Sequence, residues 1–415
     1  MSRVGKAENG MRHTVWFAYP LLRILGAWPN RVSSSTLSKI LNWYLIFTCY
    51  TLQLIVLVPG FLHVFLKEKN GRKKMKMMIP QVNGYLQLCK YSLVLRWTNK
   101  LRVLLDEMKE DWLNTTEEDQ LIFRAKASFG HRVMSMIAIV TYSAGLGYRT
   151  ILPLSKGRIL LPNNTTKRLL PCPGYFVFFN EQVSPIYEII FIIQVLGGLL
   201  TYTIMCGTIG MCVMFCLHSS SLLRILLNKI CQLTKQLDVN EMVVHEKIVD
   251  IVKYQTKVKG FLKNVEQLTT YLFLLEIMVE TSIGCVIGYN VVTEWEDSNA
   301  AAMIIHLMMQ ASTVSCTFIM CYVGQTLIDE GNNVRKMSIT LDWYRFPVKE
   351  ARNLILVIIM SSYPVKLTAH IFSHFYRRMY QNIKLCFSYL VHGSNFIFQI
   401  IKTTVGYLNM LQKVT

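Results

Sequence analysis

The sequence predicts an all-α membrane protein of seven transmembrane helices, with a cytoplasmic N-terminus and an extracellular C-terminus. Three observations carry this reading. Of 415 residues, 52% are hydrophobic and 17% charged, with a mean hydropathy of +0.33, whereas soluble globular domains carry about a quarter charged residues. Seven apolar segments are long enough to cross a hydrocarbon core about 30 Å thick as helices. Lysine and arginine are more than twice as frequent on one side of the resulting map as on the other. The positive-inside rule makes the richer side, which holds the N-terminus, cytoplasmic.

In chain order, residues 1–40 form a tail that is polar through Glu8 and Asn9. It shows no early apolar core with a cleavage site, so the first span is expected to direct insertion. The spans are residues 41–66, 77–97, 133–154, 185–217, 268–292, 302–328 and 387–411. The second is the weakest, because Gln81, Asn83, Gln87, Lys90 and Arg96 interrupt it, and polar groups at membrane depth usually face protein or water. Connections two, four and six and the tail carry the basic majority. The cluster "KEKNGRKKMK" in the first connection votes the other way.

The long fourth connection, residues 218–267, reads as helical. Apolar residues in "SLLRILLNKICQLTKQL" and "EKIVDIVKYQTKVKGFLKNVEQL" recur at three and four with lysines between, so spans four to six are expected to continue past the membrane and pack as a helical anchor. The run "NLILVIIMSS", residues 353–362, is too short to span and suits a helix buried in that anchor. The domain map is then a tail (1–40), spans one to four with the ligand-binding part (41–217), the helical connection (218–267), spans five and six (268–328), an anchor segment (329–386) and the last span (387–415).

A net charge of +19 would point to nucleic acid in a soluble protein. Here the basic residues lie between apolar runs and no nucleic-acid module is present, so no nucleic-acid partner is expected. Most of the 11 cysteines fall inside apolar runs, where a thiol is a small hydrophobe. None is spaced with histidines as a metal site, so no metal or cofactor is expected. Sequons at Asn163 and Asn164 in "LPNNTTKR" fall in the third, outward connection, where a glycan can attach, while the sequon at Asn114 falls inside.

The stretch "TLDWYRFPVKEARNLILVIIMSSYPVKLTAHIF", with "CYVGQTLIDEGNNV" before it and "TTVGYLNMLQKV" at the end, resembles the C-terminal region of insect odorant receptors. Length, span number and the long fourth connection extend the resemblance loosely over the chain. The ending alone does not separate odorant from gustatory receptors, since Gly406 precedes Tyr407 and Gln412 follows. The resemblance implies a tuning subunit of an odorant-gated, non-selective cation channel. It would form a hetero-tetramer with a co-receptor subunit in the plasma membrane of sensory neurons, with seventh spans lining the pore and cytoplasmic helices making subunit contacts.

Against that pattern, "SHFYRRMYQNIKLCFSYL", residues 373–390, is an addition of roughly 15 to 20 residues before the last span. It is either retained intronic sequence or a basic collar, with Arg377 and Arg378 at the boundary attracting anionic lipid. Within the last span Thr403, Tyr407, Met410 and Val414 share one helical face and are the pore candidates, with Met410 and Val414 suited to a hydrophobic gate. Lys413 would oppose cations if it pointed inward.

The resemblance places the pocket for a small, mostly apolar or volatile ligand between spans two, three, four and six. Tyr85, Val140, Ser143, Gly147, Tyr187, Phe191, His306 and Gln310 are the candidates there, an apolar set with few polar groups. Glu188 beside them is expected to face protein or water. Glu276 and Glu280, one turn apart, have no nucleophile or histidine at matched depth. They read as intersubunit or water-facing carboxylates near the ion path, not as catalysts, and no enzymatic activity is expected. His245 reads as a satisfied polar residue of the anchor. The alternatives are a gustatory-type channel or a G-protein-coupled receptor. The latter would need an outside N-terminus, and the sequence lacks its Asp-Arg-Tyr and Asn-Pro-x-x-Tyr signatures.

Overall fold

Six long helices run up and down through a computed structural model that describes residues 3–29, 36–155, 157–160, 166–176, 179, 181–235, 241–296 and 300–362. The last span, the segment 373–390, the sequons at Asn163 and Asn164, and the pore candidates Thr403, Tyr407, Met410 and Val414 lie outside the described residues.

The chain opens with α1 (Arg3–Val15) and α2 (Ala18–Ile24). Helix α2 stops at Gly26, whose φ of 66° a side chain would disfavour; the Gly26 and Ala27 amides then return to the Arg23 and Leu22 carbonyls. Next come α3 (Thr36–Leu62), extended by a π-helical turn at His63–Lys67, then α4 (Gly71–Arg96) and α5 (Thr98–Asn114). Helix α6 (Glu117–Leu146) begins where Thr116 accepts a hydrogen bond from the Asp119 amide, with Glu117, Glu118 and Asp119 in its first turn. It runs into a second π-helical turn (Gly147–Ile151) and a short α7 (Leu152–Ser155). A hairpin follows, β1 (Arg158–Leu160) antiparallel to β2 (Thr166–Arg168). Then come α8 (Ile186–Lys235), α9 (Glu241–Glu296), α10 (Ala300–Ile339) and α11 (Val348–Ser362).

The expected spans one to six correspond to α3, α4, α6, α8, α9 and α10. The extension of spans four to six is plain in the 50, 56 and 40 residues of α8, α9 and α10. Among the described residues, Thr36–Lys67, Ile186–Leu233 and Ile304–Ile339 are helices long and apolar enough to cross a membrane by length and composition. The protein is a multi-pass membrane protein. The β-hairpin in the third connection was not expected, since neither short strand shows an alternating pattern.

Below, "base" means the end carrying α1, α2, α5 and α11, and "hairpin end" the end carrying β1 and β2. Helix α8 is the central post, packing on α2, α3, α4, α6, α9 and α10. The main core runs along its lower half, from Ile204 through Phe215 to Ile230, with Leu104, Met108, Phe123, Phe261 and Val323 around it. A second, small cluster of Ile79, Ala144, Ile283 and Met309 lies toward the hairpin end. Helix α11 packs on α9 and α10, as expected for a short apolar run inside an anchor.

Candidate functional site

At the base, Asp111 of α5 is buried and receives both His218 Nε2 of α8 at 2.9 Å and Lys257 Nζ of α9 at 2.7 Å. Burial pushes the Asp111 carboxyl up, but the two cationic partners outweigh it and hold it below the usual aspartate range. His218 is stacked on Phe123 and meets the edge of Phe261. Lys126 reaches Glu330 at 3.3 Å. His245 faces the buried Glu350 at 3.0 Å, so it is a satisfied polar residue of the base as expected. Asn114 closes α5 and points its amide at Glu110. A cavity of about 30 Å³ between α1, α2, α6 and α8, lined by Phe17, Met134 and His218 among others, has room for about one water and not for an organic ligand.

Midway, Lys90 of α4 and Glu276 of α9 form a buried ion pair. This corrects the expectation that Glu276 faces water or a neighbouring subunit. A carboxylate that deep needs a partner, and the lysine that weakened span two supplies it. The Glu280 side chain lies outside the described residues.

At the hairpin end, the π-helical turn at Gly147–Ile151 re-aims α6 just before it leaves the bundle, so that successive residues face different neighbours. Gly147 faces Ile305 of α10. The Tyr148 ring meets His306 edge-on, with centroids 6.2 Å apart. Arg149 turns toward α8, where Nη1 donates to the Gln194 carbonyl at 2.9 Å and lies 3.4 Å from Cys172 Sγ. Gln194 in turn holds both backbone groups of Cys172, accepting from its N–H at 3.0 Å and donating to its carbonyl at 2.8 Å. These contacts clamp the loop after the hairpin onto α8.

The predicted ligand residues fall into two groups and some outliers. Gly147, His306 and Gln310 lie at the contacts of α6, α9 and α10: Gly147 faces Ile305, His306 is buried against Tyr148, and the half-buried Gln310, one turn along α10, lies beside Gly284 of α9. Ile79, Ala144, Ile283 and Met309 from α4, α6, α9 and α10 form a small apolar cluster among the same helices, with Tyr148 packed against it. Tyr187 and Phe191 pair separately on α8, 6.0 Å between centroids. There the Tyr187 hydroxyl donates to the Leu169 carbonyl at 2.8 Å and Arg168 lies over its ring. Glu188 is exposed and pairs with Arg168 at 3.0 Å.

Val140 is half-buried. Ser143 is exposed and donates to carbonyls of its own helix. Tyr85 is 53% exposed, because at about 100° per residue it points away from the α4 face bearing Ile79 and Leu86. Sequence reasoning missed Tyr148, Arg149 and Gln194. A charged residue inside the third apolar run was the available signal, since buried charge in a span marks a built site.

The sequence matches the family model for the 7tm odorant receptors over residues 71–385. Among relatives, it is 25% identical to Odorant receptor 30a of Drosophila melanogaster over 213 residues, which are 51% of this chain and 55% of that one. It is 24% identical to Odorant receptor 85b of the same fly over 125 residues, 30% of this chain and 31% of that one. The chain thus spans about half the length of the first relative and a third of the second. Its fold is similar to that of the insect olfactory receptor OR5 from Machilis hrabei, with a TM-score of 0.73 at 13% identity, covering 97% of this chain and 98% of that one. The same receptor in complex with eugenol gives 0.71 at 13% identity, over the whole of both chains. With the family's sequence pattern over most of its length and the seven-helix fold throughout, this chain belongs to the insect odorant receptor family.

Proposed function

We propose that this protein is the tuning subunit of an odorant-gated channel. The observation that carries the reading is membership of the odorant receptor family. It is supported by the similar Machilis receptor, which has been seen with eugenol, and by the buried His306 and the half-buried Gln310 on one face of α10, beside a small apolar cluster of α4, α6, α9 and α10. A small, mostly apolar odorant enters at the hairpin end, which faces the extracellular side, while α1 and the base face the cytoplasm. Tyr85, Val140, Ser143, Tyr187 and Phe191 complete the wall in the ligand-bound state. The seventh span, through Thr403, Tyr407, Met410 and Val414, lines a cation pore shared with co-receptor subunits of a hetero-tetramer in the plasma membrane of sensory neurons. Asn163 and Asn164 carry glycan.

Binding opens the pore only by the odorant's greater affinity for the open state. A ligand must favour that state about 10⁴-fold to move the equilibrium from 1:99 to 99:1. Odour-evoked current in cells expressing this chain with a co-receptor tests the reading. Current that requires the co-receptor and ignores a G-protein blocker is expected. Current abolished by the blocker, or an epitope tag at Met1 accessible on intact cells, overturns it.

A further inference from the structure

We propose that Gln310 makes this site select ligands bearing a hydrogen-bond donor, alcohols or phenols, over ethers of the same skeleton. The inference rests on the ligand-binding reading of the hairpin-end cluster and narrows the chemical class it takes.

Helix α10 presents His306 and Gln310 one turn apart on a single face. The Gln310 side-chain oxygen is shut off from solvent and has no hydrogen-bond partner among the described residues. A buried carbonyl oxygen left unpaired is costly and uncommon, so each case calls for an account. Neighbouring hydroxyls do not satisfy it: Thr141 and Ser312 bond each other at 2.7 Å, and the Thr313 hydroxyl bonds the Gln310 backbone carbonyl at 2.8 Å. Met309 and Ile283, next in sequence to Gln310 and Gly284, belong to a small apolar cluster with Ile79 and Ala144.

Gly284 borders the Gln310 amide, and Gly147 borders Ile305, five residues before Gln310 on α10. A Cβ at Gly284 would stand 3.6 Å from the Gln310 amide, and one at Gly147 would stand 3.8 Å from Ile305; both are ordinary contact distances. Gly145 and Gly198 differ, since the Tyr202 and Arg149 side chains already fill their space. Further acceptors without partners, Gln87 Oε1 and Glu276 Oε1, lie on α4 and α9 of the same bundle. An apolar molecule carrying one hydroxyl supplies the donor that the Gln310 oxygen lacks.

The test records current from cells co-expressing this chain with the co-receptor. The probes are octanol, phenethyl alcohol and benzyl alcohol, each beside its methyl ether and its acetate ester. In every set that evokes current the alcohol should be more potent than the ether, by roughly fivefold to tenfold, the value of one net hydrogen bond. Gln310→Met, of similar volume, should erase the difference in potency between each alcohol and its ether.

Equal potency of alcohol and ether in the unmodified receptor overturns the assignment. So does an alcohol preference that survives Gln310→Met, or a consistent preference for the ester, which would mean that the amide nitrogen faces the ligand. Where Gln310→Met fails to reach the surface, the comparison in the unmodified receptor decides alone. Silence to every probe sinks the proposed function and this inference together, whereas currents that treat each set alike sink only the role of Gln310.

Discussion

At the base, the Asp111 carboxylate is gripped by a histidine and a lysine from two other helices, inside a sandwich of Phe123 and Phe261. At the hairpin end, the buried Arg149 donates to a backbone carbonyl, and no carboxylate pairs with it among the described residues. The base ties the carboxylates of Asp111, Glu330 and Glu350 to basic partners over a long core on α8, α9 and α10. The hairpin end has a small apolar cluster, glycines at helix contacts, and acceptors such as Gln310 Oε1 left open. Trp112 Nε1, the Tyr254 hydroxyl and Gln255 Oε1 at the base also stay unpaired, so the two ends differ in how charge is held and not in whether every polar atom is bonded.

The comparison predicts its largest effect at Asp111. Asp111→Ala strands Lys257 and His218 without their carboxylate, which should cost about 3–5 kcal/mol. Loss of the monodisperse peak in size-exclusion chromatography of the detergent-solubilised protein would register it. Because the folded Asp111 carboxyl titrates below its ordinary value, its contribution to stability is fully present above about pH 4 and is lost as pH falls through the folded value. Thermal unfolding followed between pH 7 and pH 3 should show this acid-side decline, and a variant that unfolds should not refold at lower pH.

Next in size is Gln194→Leu. It frees the N–H and carbonyl of the buried Cys172, at about 2–4 kcal/mol for two unpaired backbone groups. The penalty is local, so limited proteolysis should cut the loop after the hairpin while the melting of the base stays unchanged. Global collapse would refute the separation of the two ends.

Gly145 and Gly147 then form a contrast two residues apart. The Tyr202 ring occupies the space over Gly145, so Gly145→Val overpacks it at about 1–3 kcal/mol. Gly147→Ala meets only ordinary contacts and should change stability by less than about 1 kcal/mol, while altering the odorant response by reducing the room beside Ile305. Melting temperature and dose–response curves of the two variants, measured together, separate a packing glycine from one that leaves space.

Six of the spans and the extension of three of them were legible because each rests on local pattern: a run of apolar residues long enough for a bilayer, or a stripe at three and four. The candidate site was legible in part. His306 and Gln310 stood out as polar residues in an apolar run, and their spacing put them on one face. Tyr85 and Ser143 were placed in the same pocket through the family resemblance, and both side chains are exposed in the structure. Glu276 was misread because its partner lies on another helix, 186 residues away in sequence, and the lysine that completes it looked like a flaw in span two.

The sequence by itself determined an all-helical membrane protein of this family, the existence of a cytoplasmic helical extension as an expectation, and the apolar character of the bundle. These follow from residue type and period along one helix. Only the tertiary structure decided that Lys90 neutralises Glu276, that Asp111, His218 and Lys257 meet, that Arg149 and Gln194 clamp the Cys172 loop, and that the Gln310 oxygen is left without a partner. Each of those is a contact between helices, and the azimuth at which one helix meets another is set by packing of whole faces, which no local pattern encodes.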